Sequence, residues 1–565
     1  MGMGGMPLPK TPKATLTLNE TSIPHMGSVE VRFTVHDGAP NVTDLIAVYC
    51  VDDEGDPPTD AAYIDFRVVK APELGFLVFD RIPNMRCSWQ FRYFVPMDGT
   101  AYSSIGSSDF VTMQRGATEP LQVHLAPTND PTHMRVMWIS DFTPGHAVWY
   151  GKDPEHLDQF EAATYNTYHA TEMCQYPAMS VTPRNFREPG MIYDAVMDDL
   201  EPGATYYYYV GNQEDRQLSD TFSFRVPLAP GTPPVPGTTT SFVVYADMGN
   251  WDTPATGMSL FDPSHRTVDA VYAAMQTEPH HQYQGLLHVG DIAYGVGRTF
   301  VWDQFGFMIE KIAASMPYMV SVGNHEYDYL AYTSHDPSGV SHHDRFAPPE
   351  ANFGSDSHGE CGVPISRRFH MPDNGNGVFW YSYEAGLAHH TVISAEHNFT
   401  AGSKLFEWLN NDLRSVNRTR TPWVALHLHR PMYCSQEVYE DFKFSRFIRH
   451  HLEPVLAHYR VDLVFSGHYH SYERTCAVYE GKCRSPAGAP AKAPIHIMVG
   501  AAGAALDMQY YYEREWSVET RNEFGLGRLH LHNATHAHFE FQRLVDHTVS
   551  DEAWIVSDHA WSIDQ

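Results

Sequence analysis

Gly285-Leu-Leu-His-Val-Gly-Asp-Ile-Ala-Tyr294 joins a short apolar run to a turn that carries a carboxylate and a phenol. Apolar runs of this length, rich in Val, Ile and Leu and ended by Gly or Pro, predict buried strands. Other runs also end in a possible metal ligand: 241–246 before Asp247, 316–322 before Asn324, 422–428 before His429, and 461–465 before His468 and His470. Because sites in open α/β sheets form at the carboxyl ends of strands, these turns predict one shared site.

The predicted donor groups are carboxylates, a phenol, an amide and imidazoles, a mixture that suits iron, manganese or zinc. They are Asp247, Asp291, Tyr294, Asn324, His429, His468 and His470. This set is too large for one tetrahedral zinc ion and suits two ions about 3.5–4 Å apart. Asp291 is the natural bridging carboxylate because it shares a strand end with Tyr294. A phenolate from Tyr294 favours a trivalent ion, which must hold the oxygen deprotonated below its usual pKa of about 10.

Each of these residues also has a purely structural interpretation. The chain contains 34 histidines, so most of them are bystanders. His427 precedes His429 by two residues, and strand alternation puts both on one face, so periodicity does not choose between them. The position of His429 at the strand end favours it as the ligand, whereas His288 lies inside a strand and is predicted to be structural. Gly-Asp or Gly-Asn alone indicates a tight turn. The joint occurrence of all the blocks indicates a metal site.

These blocks resemble the motifs of the purple acid phosphatases, within the calcineurin-like metallophosphoesterase superfamily. They are Asp247-Met-Gly, Gly290-Asp-x-x-Tyr294, Gly323-Asn-His-Glu326, His429 before Arg-Pro, and Gly467-His-x-His470. The tyrosine of the second block distinguishes the purple enzymes from other members of that superfamily. Tyr472-Glu-Arg-Thr-Cys476 and the stretch from Phe524 to Thr535 are similar to the long, plant-type enzymes. The resemblance extends from about Leu121 to His538.

The resemblance implies an Fe(III) ion held by Asp247, Tyr294, His470 and the bridging Asp291. It implies a divalent ion, Zn, Mn or Fe(II), held by Asn324, His429, His468 and the same Asp291. His325 would contact the phosphate of the substrate rather than a metal. The implied activity is that of an acid phosphatase, which hydrolyses phosphate monoesters by attack of a metal-bound hydroxide.

One segment departs from the family pattern. Well-known plant enzymes have a further histidine downstream of the His429 position, whereas this chain has Cys434-Ser-Gln-Glu-Val-Tyr-Glu-Asp441. Glu437, Tyr439 and His325 are therefore alternative leaving-group acids. The departure keeps open a nucleotide pyrophosphatase or phosphodiesterase on the same scaffold. A third alternative is a glycosylated binding protein with a vestigial metal site, against which the complete ligand set argues.

The predicted fold is a layered α/β metallophosphoesterase catalytic domain preceded by two all-β sandwich domains. Short alternating runs predict the first sandwich over residues 1–118 and a second over 119–230. The stretch from Leu200 to Val210 resembles a strand entry of a fibronectin type III domain, so the second sandwich is expected to be the fibronectin type III-like amino-terminal domain of long purple acid phosphatases. A Pro-rich linker over 231–240 precedes the catalytic domain at 241–565. Helical patterns are predicted at 264–276, 300–314, 404–416 and 442–458, alternating with the ligand-bearing strands. Residues 331–375 are predicted to form a long loop at the border of the active site.

Composition limits the possible partners. Lys and Arg number 38 against 68 Asp and Glu, which gives a formal net charge of −30. Such a surface repels nucleic acid and anionic membranes, so the expected partner is a small phosphorylated substrate. The sequence has no apolar run long enough for a transmembrane helix. The expected assembly is a monomer or a homodimer.

Sequons and cysteines favour a secreted or vacuolar/lysosomal protein. The sequons begin at Asn19, Asn41, Asn398, Asn417 and Asn533. The start of the chain lacks the apolar core of a signal peptide, so a leader is expected to have been removed or to lie upstream. The predicted disulfides are Cys50–Cys87 and Cys476–Cys483, with Cys361–Cys434 as a third candidate and Cys174 left unpaired.

Overall fold

The first of two β-sandwiches begins close to the amino terminus of the computed structural model. The structure describes residues 13–52, 59–97, 101–182, 185–249, 263–327, 336–340, 346–348, 354–436, 439–486, 488–508 and 510–563. In this sandwich a three-stranded sheet has the order Ala14–Leu18, Gly27–Val35, Phe76–Ile82. The facing sheet has the order Asp65–Val68, Leu45–Val51, Ser88–Pro96, Tyr102–Ser107. Two short parallel strands, Ser22–Ile23 and Thr112–Met113, pair with each other beside these sheets. The same region contains the 3₁₀ turns Asp60–Ala62 and Pro72–Leu74.

Alternating hydrophobicity builds this sandwich. In the strand Gly27–Val35, Val29, Val31 and Phe33 are buried while the residues between them are at least partly exposed. This is the period of two that a strand with one buried face requires. The buried face packs against Phe91 and Trp89 of the opposite sheet in one core.

The second sandwich also consists of two facing sheets. Its four-stranded sheet has the order Leu121–Pro127, Met134–Ser140, Met191–Met197, Thr164–Asn166. The facing sheet has the order Gln159–Ala162, Ala147–Gly151, Thr205–Asn212, Gln217–Leu218, with Phe222–Arg225 also paired to Thr205–Asn212. A 3₁₀ turn covers Ala170–Glu172. Trp138 and Tyr193 stack with their ring centroids 5.6 Å apart in this region.

The carboxyl-terminal part contains two larger sheets. The six-stranded sheet has the order Tyr318–Val320, His281–His288, Thr239–Tyr245, Gly525–Leu531, His536–Arg543, Val549–Val556. The eight-stranded sheet has the order Trp380–Ala385, Ala388–Ile393, Trp423–His427, Leu463–Ser466, Ile495–Val499, Tyr472–Tyr479, Lys482–Cys483, with Ser517–Arg521 paired to Tyr472–Tyr479. The first three strands of the six-stranded sheet are mutually parallel, as are Ala388–Ile393, Trp423–His427, Leu463–Ser466 and Ile495–Val499.

Side chains from both sheets form one core between them. Tyr472 of the eight-stranded sheet stacks on Phe541 of the six-stranded sheet with ring centroids 4.1 Å apart, and Phe465 lies against Phe539. In the described part of the chain, five α-helices accompany the sheets: α1 Pro263–Thr277, α2 Thr299–Ala313, α3 Val363–Arg368, α4 Lys404–Ser415 and α5 Tyr439–His458. The hydroxyl of Ser403 caps α4 by accepting a hydrogen bond from the amide of Phe406 at 3.2 Å. The result is the layered α/β arrangement that the sequence predicts.

Helix α2 joins the three parts of the chain. Phe300 and Phe307 contribute to the core of the first sandwich, whereas Phe305 belongs to the core between the large sheets. Asp303 is buried and binds Arg86 of the first sandwich at 2.6 Å and Arg368 at 2.9 Å. Because α2 begins shortly after Tyr294, the turn that carries Tyr294 is anchored to the amino-terminal part of the molecule.

Three disulfides are present among the described residues. Cys50 bonds to Cys87 and Cys476 bonds to Cys483, as the sequence predicts. The prediction for the remaining cysteines is wrong, because Cys361 bonds to Cys174, across 187 residues of chain, and Cys434 is the free thiol. Cys434 is buried beside Tyr469 and Met498, away from Cys361. Proximity of this kind comes from tertiary packing and leaves no sign in residue spacing. Within the described part of the chain, no helix has the length and apolar character needed to cross a membrane.

Candidate metal centre

The predicted ligands lie at the carboxyl ends of strands from both large sheets. Three of these strands belong to the six-stranded sheet and two to the eight-stranded sheet: Thr239–Tyr245, His281–His288 and Tyr318–Val320, and Trp423–His427 and Leu463–Ser466. The site therefore forms between two packed sheets, rather than along the edge of a single open one. The parallel strands of each sheet bring their carboxyl ends to one edge of that sheet. The packing of the two sheets then brings these two edges together.

Glycines permit the turns to close around the carboxylates. A Cβ atom on Gly323 would lie 2.2 Å from Oδ1 of Asp291, and one on Gly467 would lie 2.4 Å from Oδ2 of Asp247. Four of the predicted ligands themselves have left-handed backbones: Asp247, Asp291, Tyr294 and His468 have φ values of 58°, 50°, 53° and 73°. Non-glycine residues adopt this region at a cost and concentrate at functional sites.

Asp247, Tyr294 and His470 form the first donor group. The hydroxyl of Tyr294 lies 3.2 Å from Oδ1 of Asp247 and 2.9 Å from Nε2 of His470. Nε2 of His470 lies 3.5 Å from the same Asp247 oxygen. The three donor atoms thus converge on one point. On the far side of the imidazole, Nδ1 of His470 donates to the carbonyl of Ala505 at 2.6 Å, which leaves the lone pair of Nε2 directed at the other donors.

Asn324, His429 and His468 form the second donor group. Oδ1 of Asn324 lies 3.1 Å from Nε2 of His429 and 3.0 Å from Nδ1 of His468. Nδ1 of His429 donates to the carbonyl of Val289 at 2.9 Å, so Nε2 is the nitrogen available to a metal ion. Here too, three donor atoms of metal-binding type point at one another.

Asp291 lies next to the second donor group and within reach of the first. Its Oδ1 is 3.3 Å from Nε2 of His429, and that nitrogen is 4.0 Å from Oδ1 of Asp247. Asp291, His429 and His468 also place one ligand atom each within 4.8 Å of one another. Asp247, Asp291 and His429 are all buried. Two donor groups of mixed chemistry therefore lie side by side, with a carboxylate where they meet.

The charge of this cluster calls for a cation. Burial acts to lower the pKa of His429, but the carboxylates of Asp291 and Asp247 outweigh it and raise the pKa to about 10. Burial and the adjacent carboxylates of Asp247 and Asp291 hold the pKa of Tyr294 far above its usual value. Both shifts reflect the negative charge of the buried carboxylates at this site. A bound metal ion offsets both effects, because it supplies the positive charge that buried carboxylates require. The residues present thus fit a metal site.

His325 lies at the mouth of the site. Its backbone amide donates to Oδ1 of Asp291 at 3.0 Å, and its ring rests on Tyr294 with centroids 4.5 Å apart. Nε2 is 3.9 Å from Oδ2 of Asp291, and the side chain is 24% exposed. Burial lowers the pKa of His325, and the carboxylates of Asp291 and Asp356 oppose that shift. The imidazole is positioned to meet a ligand that approaches from solvent.

The structure also places the histidines that periodicity could not assign. Nε2 of His427 pairs with Nδ1 of His390 at 3.0 Å, and its ring stacks on Phe465, inside the core. Nδ1 of His288 pairs with the hydroxyl of Tyr318 at 2.9 Å. Both ring contacts are with residues outside the donor groups, whereas His429 belongs to one of these groups.

Other acidic residues that hold the site were not identified from the sequence. Glu326 accepts the backbone amides of Asp291, Ile292 and Gly323 at 2.9, 2.7 and 2.9 Å, so it fastens two ligand turns together. Glu326 could have been identified from the sequence, because it is the last residue of the motif Gly323-Asn-His-Glu326. Asp507 accepts the backbone amide of His470 at 2.9 Å. Asp356 and Asp441 contact ligand side chains, and neither belongs to any of the recognised blocks.

The three residues predicted as alternative leaving-group acids are Glu437, Tyr439 and His325. Glu437 and the side chain of Tyr439 lie outside the described residues. His325 is therefore the one candidate of the three whose side chain the structure describes, and it lies at the site. The described parts of the predicted loop over 331–375 reach the site through Asp356, whose Oδ2 accepts a hydrogen bond from Asn324 at 3.1 Å.

Comparisons with known proteins identify the family of this chain. Residues 120–226 match the model of the purple acid phosphatase N-terminal domain, residues 240–472 that of the calcineurin-like phosphoesterases, and residues 493–552 that of the iron/zinc purple acid phosphatase-like C-terminal region. An Arabidopsis thaliana protein named probable inactive purple acid phosphatase 1 is 30% identical over 78% of this chain and 70% of its own length. The chain belongs to the purple acid phosphatase family. The resemblance seen in the sequence is thereby confirmed.

Two further matches add detail to this assignment. A purple acid phosphatase, PPD1, from yellow lupin (Lupinus luteus) seeds has the same fold, with a TM-score of 0.82 over 98% of this chain and 99% of its own, at 23% identity. A nucleotide pyrophosphatase/phosphodiesterase of Hordeum vulgare is 28% identical over 60% of this chain and 88% of its own length. The match covers 65% to 70% of the own length of three Arabidopsis relatives named probable inactive purple acid phosphatases, and 87% to 90% of the own length of three other Arabidopsis relatives. The predicted fold class is confirmed, while the family includes proteins named as inactive.

Proposed function

We propose that this purple acid phosphatase family member is an active dinuclear-metal phosphoesterase that hydrolyses phosphate monoesters at acidic pH. The observation that carries the proposal is the pair of complete donor groups. Every ligand position of the family motifs is occupied in this chain by a residue of the expected type. Within each group, neighbouring donor atoms lie 2.9 to 3.5 Å apart. A vestigial site under no constraint to bind metal would be free to lose one of these buried polar residues, because each is costly to keep without a partner.

The chemistry of the donors supports two different ions. Asp247, Tyr294, His470 and Asp291 would hold Fe(III), since carboxylate and phenolate oxygens suit a hard trivalent ion. Asn324, His429, His468 and Asp291 would hold Zn, Mn or Fe(II). Ions bound there supply Lewis acidity and lower the pKa of water, which provides a nucleophile for phosphorus even at acidic pH.

The protein's own residues account for orientation and charge. The backbone carbonyls of Val289 and Ala505 fix the ring tautomers of His429 and His470, so both imidazoles offer Nε2 to the site. His325 offers Nε2 to a phosphate oxygen, where a cationic imidazole stabilises the charge that develops during ester cleavage. Because burial lowers the pKa of His325, acidic pH is needed for the ring to carry that proton, and a cationic ring favours an anionic ester as substrate.

The test is hydrolysis of p-nitrophenyl phosphate against bis-p-nitrophenyl phosphate by the purified, metal-loaded protein. We expect the monoester to have the higher kcat/KM, by about tenfold or more, with an acidic optimum. Asp291→Asn serves as the matched variant, because it keeps the size of the side chain but removes the charge, and it should abolish both activities. A wild-type protein that binds both ions and hydrolyses neither ester would contradict the proposal.

A phosphodiesterase or nucleotide pyrophosphatase remains the second candidate. The Hordeum vulgare relative of that name and the absence of histidine from Cys434 to Asp441 both favour it. A preference for the diester or for ATP, with an optimum above neutrality, would establish this candidate instead.

We also propose that the protein is glycosylated and secreted or vacuolar. Three disulfides among the described residues are typical of an oxidising compartment. Asn19, Asn41, Asn417 and Asn533 are exposed, and Asn398 is partly exposed. A glycosidase-sensitive mass shift in protein from its native source would support this localisation, and an unmodified mass would contradict it.

A further inference from the structure

We propose that two carboxylates outside the recognised motifs, Asp356 and Asp441, position the ligands of the second donor group and set its affinity for the divalent ion. The inference rests on the proposed function, because it assigns these residues a role in the same dinuclear site. Each carboxylate contacts the outward-facing atom of a different ligand, Asn324 in one case and His468 in the other. Neither residue is within any of the motifs that identify the family in this chain.

Asp356 determines which way the amide of Asn324 points. Nδ2 of Asn324 donates to Oδ2 of Asp356 at 3.1 Å, while Oδ1 faces His429 and His468. A carboxylate can only accept, so it selects the amide nitrogen and leaves the amide oxygen for the metal. Without Asp356, a half-turn of the amide would present NH₂ to the ion, and NH₂ has no lone pair to bind a metal.

Asp441 completes a carboxylate–imidazole–metal arrangement at His468. Nδ1 of His468 faces Asn324, and its Nε2 lies 3.3 Å from Oδ1 of Asp441. When Nδ1 binds a cation, Nε2 carries the ring proton and needs an acceptor. Arg430, whose Nη1 lies 3.1 Å from Nε2, can only donate, so Asp441 is the acceptor of the two.

Arg430 holds Asp441 in place. Nη1 of Arg430 is 3.3 Å from Oδ1 of Asp441, and Nε donates to Oε1 of Glu396 at 2.8 Å. Arg430 and Glu396 are buried, whereas the Asp441 side chain is 28% exposed. The buried pair therefore gives the more exposed carboxylate a fixed orientation beside His468. A carboxylate behind a ligating imidazole also increases its basicity and hence its affinity for metal.

The first donor group is held differently. His470 is oriented by the backbone carbonyl of Ala505 and by the contact of its own amide with Asp507. His429 of the second group is likewise oriented by a backbone carbonyl, that of Val289. Removal of Asp356 or Asp441 should therefore weaken the divalent position while leaving the ferric position unchanged. This selectivity distinguishes positioning from a general loss of structure.

The experiment compares Asp356→Ala and Asp441→Ala with Asp356→Asn and Asp441→Asn in the full-length protein. Zn²⁺ or Mn²⁺ is titrated into protein that retains its iron, and affinity is measured by competition with a chelator. We expect the alanine variants to bind the divalent ion about 10–100-fold more weakly. The asparagine variants should recover part of the affinity, because an amide oxygen still accepts a hydrogen bond. Iron content should be unchanged in all four variants. The visible absorption band expected from the Tyr294 phenolate bound to iron should also be unchanged.

Asp373→Asn, on an exposed side chain, serves as the control and should match the wild type. Unchanged divalent affinity in both alanine variants would overturn the inference while leaving the proposed function intact. Parallel loss of iron and divalent ion would also overturn it, because the effect would then not be selective. A wild-type protein that binds no metal would instead refute the proposed function, and the inference with it.

Discussion

The two donor groups lie side by side but differ in how the fold holds them. In the first, the imidazole of His470 is fixed by a backbone carbonyl, and the turn of Tyr294 leads directly into α2. In the second, Asn324 and His468 are contacted by the carboxylates of Asp356 and Asp441. A backbone carbonyl cannot be replaced by substitution, whereas a carboxylate side chain can. The imidazole of the first group is therefore oriented by the backbone, whereas two of the three ligands of the second group, Asn324 and His468, depend on side chains that can be substituted.

The groups also differ in their chemistry. The first contains a phenol, a carboxylate and one imidazole, and the second contains an amide and two imidazoles, with Asp291 between them. Hard oxygen donors favour a trivalent ion, and imidazoles accept several divalent ions. The first position is therefore expected to hold iron, whereas the second can accept any of several divalent ions.

The largest effect is expected from removal of a ligand of the second group. His429→Ala should lose the divalent ion and reduce monoester turnover by roughly 10⁴-fold, because a Lewis acid contributes several kcal/mol to the transition state. His427→Ala is the matched control, because His427 is a buried histidine of the same strand. It should retain both ions and lose about 1–3 kcal/mol of stability through the unpaired His390. Metal analysis with kinetics measures both, and a reversed pattern would invalidate the assignment of His429.

A smaller effect is expected at the boundary between the groups. His325→Ala should retain both ions and lower kcat by roughly 10²–10³-fold, because one charge-stabilising donor is removed. A pH–rate profile with metal analysis is the measurement. Loss of metal, or an unchanged rate, would show that His325 does not face the substrate.

The first group is tested by removal of its phenol. Tyr294→Phe should bleach the phenolate-to-iron visible band while the divalent affinity stays at the wild-type value. Turnover should fall by about tenfold, since Asp247, His470 and Asp291 remain as ligands. Absorption spectroscopy and divalent titration report on the two groups separately. Retention of the band would show that the colour arises elsewhere.

The smallest effect concerns the anchor of α2 beneath the first group. Burial raises the pKa of Glu310 to about 7, although its Oε2 accepts the amide of Val123 at 2.9 Å. A carboxyl whose pKa is raised by folding stabilises the protein fully below its ordinary value, and this stability is lost as the pH rises through about 7. Glu310→Gln should therefore raise the Tm at pH 8 by about 1–3 °C and have little effect at pH 4.5.

Glu155→Gln, on an exposed side chain, is the control and should show no such pH dependence. Thermal denaturation of the three proteins at both pH values makes the comparison. An equal Tm for wild type and Glu310→Gln at pH 8 would show that Glu310 does not ionise within the fold.

The sequence could predict the strands that carry the ligands because burial on both faces requires continuous apolar runs. The predicted strand at 461–465 lies within two residues of the observed Leu463–Ser466 at each end. The helix predicted at 404–416 corresponds to Lys404–Ser415. The division of these strands between two sheets was not predictable, since the runs define where strands end and not which strands pair.

Within the site, the sequence motifs identified the candidate metal ligands. The residues that orient these ligands became visible only from tertiary contacts. Periodicity placed His427 and His429 on one face, and only packing against Phe465 assigns His427 to the core. Asp356 and Asp441 stand in segments without a pattern, so nothing in their sequence context relates them to Asn324 or His468. The partner of Cys361 was missed for the same reason: Cys174 lies 187 residues away and is brought near by the packing of the second sandwich.

The central claim is that two adjacent donor groups hold two different ions. The most direct measurement is metal analysis of the wild-type protein, together with its visible absorption spectrum. We predict two ions per chain, one of them iron, and a broad visible absorption band from the Tyr294 phenolate bound to iron. A colourless protein that contains two zinc or manganese ions and no iron, or that contains no metal at all, would contradict it.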